Sequence, residues 1–180
     1  MSRQIALLRG INVGGRNAFP KARQLELARS LGLREVTVLL QTGNLVFADP
    51  GTPPERTAHR IEERILAELG LTVPVVVRTR DELAAAIAGN PFPQAVPEPK
   101  TLHVTFLSGV PADTARLDAL DAEAFVPDRF RLIGRELYLW CPQGIGRSKL
   151  ADAVGRARLG VTATSRNWNT VTKLLALADA

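Results

Sequence analysis

Ile5-Ala6-Leu7-Leu8-Arg9-Gly10-Ile11-Asn12-Val13-Gly14-Gly15-Arg16-Asn17 is an apolar run that stops abruptly in glycines and polar side chains. Four consecutive apolar residues bounded by glycine read as a strand buried on both faces, and the residues after it read as a loop. The three glycines allow backbone angles that side chains disfavour, so peptide N–H groups can turn toward a bound group. Arg9, Asn12, Arg16 and Asn17 add side-chain donors, which makes the loop a candidate anion site. It carries neither Gly-x-Gly-x-x-Gly nor Gly-Lys-Ser/Thr, so no nucleotide fingerprint is present.

The pattern outside the loop sets the fold. Pro20 opens a helix through about Leu31, with Leu25, Ala28 and Leu31 on one face and Gly32 to end it. Val36 to Leu40 and Leu45 to Ala48 form a hairpin around Gln41-Thr42-Gly43-Asn44. A helix follows from a cap at Thr52, with Ile61, Ile65, Leu66 and Leu69 as its stripe, and Val73 to Val77 is a fourth strand. The order βαββαβ is that of a ferredoxin-like α-β plait, and Thr79-Arg80-Asp81-Glu82 caps one extra helix. Residues 91–100 hold Pro91, Pro93, Pro97 and Pro99 and read as a linker.

Beyond residue 100 the order begins again, with strand Leu102 to Leu107, helix Pro111 to Leu120, strands Arg129 to Ile133 and Glu136 to Trp140, and a helix from about Arg147 to Leu159. Leu159-Gly160-Val161-Thr162, Ala163 to Ser165 as a short strand, Arg166 and a final helix then match Leu69-Gly70-Leu71-Thr72, Arg78 and the helix with Leu83 and Ile87. The expected fold is therefore α+β, two ferredoxin-like α-β plait subdomains from an internal duplication, spanning residues 1–90 and 101–180. The strand residues are mainly Leu, Val and Ala, which argues against an aromatic sheet face that stacks RNA bases.

Size and composition set outer bounds. The 180 residues are 46% hydrophobic, ample for packed cores. One cysteine, Cys141, excludes an internal disulfide and any multi-cysteine metal site. No apolar run approaches the roughly 18 residues of a membrane span, and none reads as a signal peptide, so the expected location is cytoplasmic. A net charge of +5 and a pI near 10.1 favour anionic partners, small molecule or nucleic acid.

Three further stretches carry candidate chemistry. The exit loop of the first strand and the hairpin share a sheet edge in this topology, which adds Gln41 and Asn44 to the first cluster. In the second half, Gly144, Gly146, Arg147, Ser148 and Lys149 enter a helix, and cations there oppose the helix dipole unless an anion binds. Arg166, Asn167 and Asn169 lie at the same edge, Asn169 as a helix cap. A cleft between the subdomains that joins these clusters would hold a phosphate-bearing ligand, a nucleotide or a nucleic-acid segment. One alternative is a metal-independent enzyme acting on a phosphorylated substrate with Asp49, Asp81 or Glu136; another is an interdomain interface with no ligand. His59 and His103 lack ligand-spaced partners, so neither a metal nor a cofactor is expected.

Ala6 to Gly15, Gln41-Thr42-Gly43-Asn44, Gly144-Ile145-Gly146-Arg147-Ser148-Lys149-Leu150 and Arg166-Asn167-Trp168-Asn169-Thr170 together closely resemble the bacterial family catalogued as domain of unknown function 1697. The resemblance covers essentially the whole chain and implies a pair of α-β plaits in a bacterial cytoplasmic protein. It brings no activity, substrate or catalytic residue. Thr42 stands where the family pattern has Ser, and both keep a hydroxyl.

Overall fold

The Ile5 to Leu8 run lies in a central strand. The computed structural model, which describes residues 2–180, places it in β1 (Arg3–Leu8), between β3 (Asn44–Ala48) and β4 (Val75–Thr79). With β2 (Thr37–Val38) outside β3, the sheet order is β2-β3-β1-β4 and every pair is antiparallel. The helices α1 (Lys21–Ser30) and α2 (Pro54–Leu69) cover one face, where Leu27, Ile61 and Ile65 pack with Ala6, Leu8, Phe47 and Val77. Strand periodicity puts Ile5, Leu7, Val46 and Val76 on the other face, and all four are buried.

That second face explains the composition of the first compact unit, which joins the chain up to residue 85 with residues 172–180. Outside the core packed under α1 and α2, its other buried apolar side chains among the described residues are Leu83 of α3 (Arg80–Ala88) and Leu174 and Ala178 of α6 (Trp168–Asp179). Arg80 Nε donates to Asp179 Oδ1 at 2.7 Å, pinning the end of α6 to the start of α3. Thr79 and Glu82 form the capping box read from the sequence, through Glu82 N to Thr79 Oγ1 at 3.1 Å and Thr79 N to Glu82 Oε2 at 2.8 Å.

The second unit, residues 86–171, is built in the same order. In it β5 (Leu102–Leu107) lies between β7 (Glu136–Trp140) and β8 (Ala163–Asn167), with β6 (Arg129–Ile133) outside β7. One face packs Leu137, Leu139 and Cys141 against Leu117 of α4 (Ala115–Asp118) and Leu150 and Val154 of α5 (Lys149–Arg156). The other carries buried Leu102, Val104, Phe106 and Tyr138, and the Tyr138 hydroxyl donates to Ala86 O at 2.6 Å. The proline-containing stretch 91–100 is packed into this unit, with Phe92 and Ala95 buried and the Phe92 ring 6.0 Å from Trp140. Among the described residues the fold is thus α+β, with two four-stranded antiparallel sheets and six α-helices.

Some elements differ from the sequence expectation. β2 is two residues long because Leu40 has φ +61 and leaves the extended region, with its side chain 54% exposed. The helix expected over 111–120 is one turn, 115–118, and β8 runs two residues further than Ser165.

Candidate functional site

The loop after β1 is held by its own asparagines. Asn12 Oδ1 accepts from Phe19 N at 2.7 Å, and Asn12 Nδ2 donates to Phe19 O at 2.8 Å and to Gln41 O. Asn17 Nδ2 donates to Gly10 O at 2.9 Å, and Asn12 N donates to Asn17 O at 3.1 Å. Both asparagines have positive φ, +53 and +51, a region Asn tolerates better than most residues. Gln24, fully buried on α1, reaches up to the same Phe19 and Gln41 carbonyls at 2.8 and 3.2 Å.

The glycines shape the loop's own backbone. Gly14 and Gly15, φ +56 and +74, are the central residues of a tight turn closed by Arg16 N to Val13 O at 3.0 Å. Positive φ at both central positions is the signature of a type I′ hairpin turn, so the backbone curls on itself. The turn carries Val13 outward, 61% exposed, with Arg16 opposite it in a two-residue bridge. The side chains of Arg9, Arg16 and Lys21 are exposed and make no hydrogen bond or ion pair among the described residues. No carboxylate occurs between residues 9 and 25.

The hairpin does meet this loop. Leu8 N donates to Gly43 O at 2.8 Å, and a Cβ on Gly43, φ +87, would stand 2.6 Å from Leu8 Cβ. Asn44, fully buried, donates to Leu39 O at 2.9 Å and to Thr42 Oγ1 at 3.2 Å. In the first cluster Asn12, Asn17, Gln41 and Asn44 therefore serve the backbone of the loop and hairpin, while Arg9 and Arg16 are left to solvent.

In the second unit the chain turns at Gly144, φ +95, whose N–H donates to Cys141 O at 2.8 Å. A 3-10 turn over Ile145–Arg147 follows, and Ser148 then caps α5, its Oγ accepting from Ala151 N at 2.9 Å. Arg147 thus precedes the cap rather than lying in the first helical turn, because the 3-10 turn takes up the residues after Gly144. The Ser148 hydroxyl donates to Asp128 Oδ2 at 2.6 Å. The Cys141 thiol is fully buried and pushed up from its usual value, chiefly by desolvation.

These groups border an open cavity of about 270 Å³, lined by Phe125, Val126, Asp128, Gly144, Arg147 and Lys149 with Ser148 between them. Gly146 is exposed in the turn beside it. The side chains of Arg147 and Lys149 are exposed and have no hydrogen-bonding or ion-pair partner among the described residues. The Asp128 carboxylate is bonded by Ser148 and, among the described residues, by no cation. Sequence reasoning missed Asp128, which lies 20 residues from Ser148 and faces it only once β6 has paired with β7.

Asn167 and Asn169 exchange roles relative to the expectation. β8 remains extended through Asn167, so the Asn167 carboxamide is placed to accept from Thr170 N at 2.9 Å and caps α6, while Asn169 lies inside the helix, exposed. Arg166 donates from Nη1 to Thr164 Oγ1 and Ser165 O, both at 2.8 Å, and burial pulls its guanidinium down to about 10. That leaves it a cation at neutral pH. The loop after β7 and the end of β8 lie at the N-terminal end of β5, whereas the first cluster lies at the C-terminal end of β1.

A family model described as "Protein of unknown function (DUF1697)" matches residues 1–138. The chain belongs to this family. The DUF1697 match takes in the Arg9 to Asn17 loop, the hairpin and Asp128. The solved structure of the conserved bacterial protein SP0830 from Streptococcus pneumoniae is similar over 98% of both chains, with a TM-score of 0.79 and 17% sequence identity. At that identity the likeness concerns the fold of this DUF1697 chain. No curated protein matches it.

Proposed function

We propose that the protein binds a phosphate-bearing ligand, seated in the cavity at the start of α5. The observation that carries this reading is the pair of unpartnered cations, Arg147 and Lys149, on the wall of a cavity that opens at a helix N-terminus. Two positive side chains beside the positive end of the helix dipole are mutually unfavourable by about 0.3–1 kcal/mol each, a cost that a bound anion reverses. Arg9 and Arg16, also unpartnered, form a second place where anions gather.

The test is a thermal-shift titration with phosphate compounds at low and moderate salt. A ligand at about 100 times its dissociation constant should stabilise by about 2.7 kcal/mol. An Arg147→Ala, Lys149→Ala variant should lose the shift; a variant that responds like the wild type removes this cavity from the reading.

For the first loop a structural reading is favoured by a specific observation, the full use of Asn12 and Asn17 within the loop. An enzyme using Asp49 or Asp81 draws less support, because Asp49 accepts from Ser2, Gln4 and Gly51 N and Asp81 pairs with Arg80. We also read each unit as a ferredoxin-like plait and the chain as a duplication, with residues 1–90 and 101–180 as the copies. The matched strand orders and the repeated succession of seven elements support it.

A further inference from the structure

We infer that the cavity at the start of α5 selects a hydroxyl-bearing phosphomonoester over phosphate alone, with Asp128 accepting from the hydroxyl while Arg147 and Lys149 hold the phosphate. This rests on the phosphate reading above and narrows it to a substrate class. Three observations lead to it.

The first is charge separation. Asp128 lines the same cavity as Arg147 and Lys149, yet no ion pair joins it to either among the described residues. A wall built only to collect anions would gain nothing from a carboxylate. One that shows a carboxylate and two cations side by side suits a molecule with donors at one end and negative charge at the other.

The second is the state of that carboxylate. Ser148 occupies Oδ2 at 2.6 Å, and Ser148 is itself fixed by Ala151 N, so the carboxylate is oriented by a bonded cap. Oδ1 has no partner among the described residues and can still accept. A sugar hydroxyl meets that requirement, whereas a phosphate oxygen is repelled by it.

The third is size. About 270 Å³ lies just below the range of pockets that bury drug-sized ligands, which suits one sugar phosphate or the ribose phosphate of one nucleotide. Phe125 and Val126 supply an apolar wall against which a sugar ring or base can rest.

Isothermal titration calorimetry of the full chain with inorganic phosphate, ribose 5-phosphate and adenosine monophosphate tests this. The wild type should bind ribose 5-phosphate about tenfold or more tightly than inorganic phosphate, the worth of a hydrogen bond to a charged acceptor. Asp128→Ala should bring the ribose 5-phosphate constant to that of inorganic phosphate, and Asp128→Asn, which keeps an acceptor for Ser148, should retain part of the preference and guards against a folding defect. Equal wild-type affinity for the two, or a preference that survives Asp128→Ala, overturns the inference and leaves the phosphate reading standing. If none of the three binds, both readings are overturned. A further gain with adenosine monophosphate assigns the cavity to nucleotides, and no gain assigns it to sugar phosphates; either supports the hydroxyl contact.

Discussion

The Asn12 carboxamide bonds the chain itself, accepting from Phe19 N and donating to Phe19 O and Gln41 O. An amide in a glycine-rich loop donates as well to a carbonyl as to a ligand, so the choice depends on what stands opposite. Phe19 lies seven residues on and Gln41 lies 29 residues on, across the hairpin. Only the folded chain brings them in. Asn12→Ala removes three hydrogen bonds, strands the buried Phe19 N–H, and puts alanine at φ +53. The expected loss is roughly 2–4 kcal/mol of stability, measured by urea unfolding. A loss below about 0.5 kcal/mol, the size of an ordinary surface change, contradicts the clamp described for this loop. Gln24 was not legible: the sequence pointed to Leu25, Ala28 and Leu31 as the inner face of α1, whereas Gln24, Leu27 and Ala28 are the buried residues, and the Phe19 and Gln41 carbonyls that Gln24 reaches supply the reason. Gly43 was legible as a turn glycine, but the 2.6 Å approach to Leu8 was not.

Most elements announced themselves, and their ends did not. Apolar runs and glycine stops located the strands and helices because those signals are local. Caps depend on where extension ceases: Thr79 and Glu82 form the expected box, but α2 starts with Pro53 in the cap position and no side-chain bond, and Asn167 replaces Asn169. Contacts between elements were not legible at all, as with Tyr138 of β7 and Ala86 of α3. Burial, with a smaller effect from the Glu136 charge, pushes the Tyr138 hydroxyl up to about 12 from 10.0. Below pH 10 the group is protonated whether the chain is folded or not, and its contribution is complete. Between 10 and 12 the unfolded chain gives up the proton first, so stability falls as pH rises. Arg166 acts in the opposite sense at these pH values, since its folded affinity for a proton is lower than 12.5. Comparison with Tyr138→Phe isolates the tyrosine. The wild type should be more stable by about 1 kcal/mol below pH 10, and that margin should shrink from pH 10 to 12. A margin that stays flat across that range removes burial of the hydroxyl as its source.

For the whole molecule, the repeated order of elements was legible because each copy carries its own local signals, but the grouping of residues 172–180 with the first unit was not. Those residues follow β8 in sequence, and nothing in a helical stripe says which sheet it will cover. The first sheet supplies the reason for the grouping. Ile5, Leu7, Val46 and Val76 are buried on the face away from α1 and α2, and four such side chains left in water would forfeit about 1.5–3 kcal/mol each. Leu83, Leu174 and Ala178 are the other buried apolar side chains of the unit that lie outside the core under α1 and α2, and the Arg80 to Asp179 bond holds the last turn of α6 in register. Leu174→Ala should therefore destabilise the first unit by about 2–5 kcal/mol, the usual result of emptying a fully buried leucine site. Hydrogen exchange should report it as lost amide protection in β1 and β4, although α6 itself is unbroken. The neighbouring Lys173→Ala, at an exposed position of the same helix, should change stability by less than about 0.5 kcal/mol. If Leu174→Ala left β1 and β4 as protected as in the wild type, the C-terminal residues would not be part of that core, and the buried second face of the sheet would need another cover.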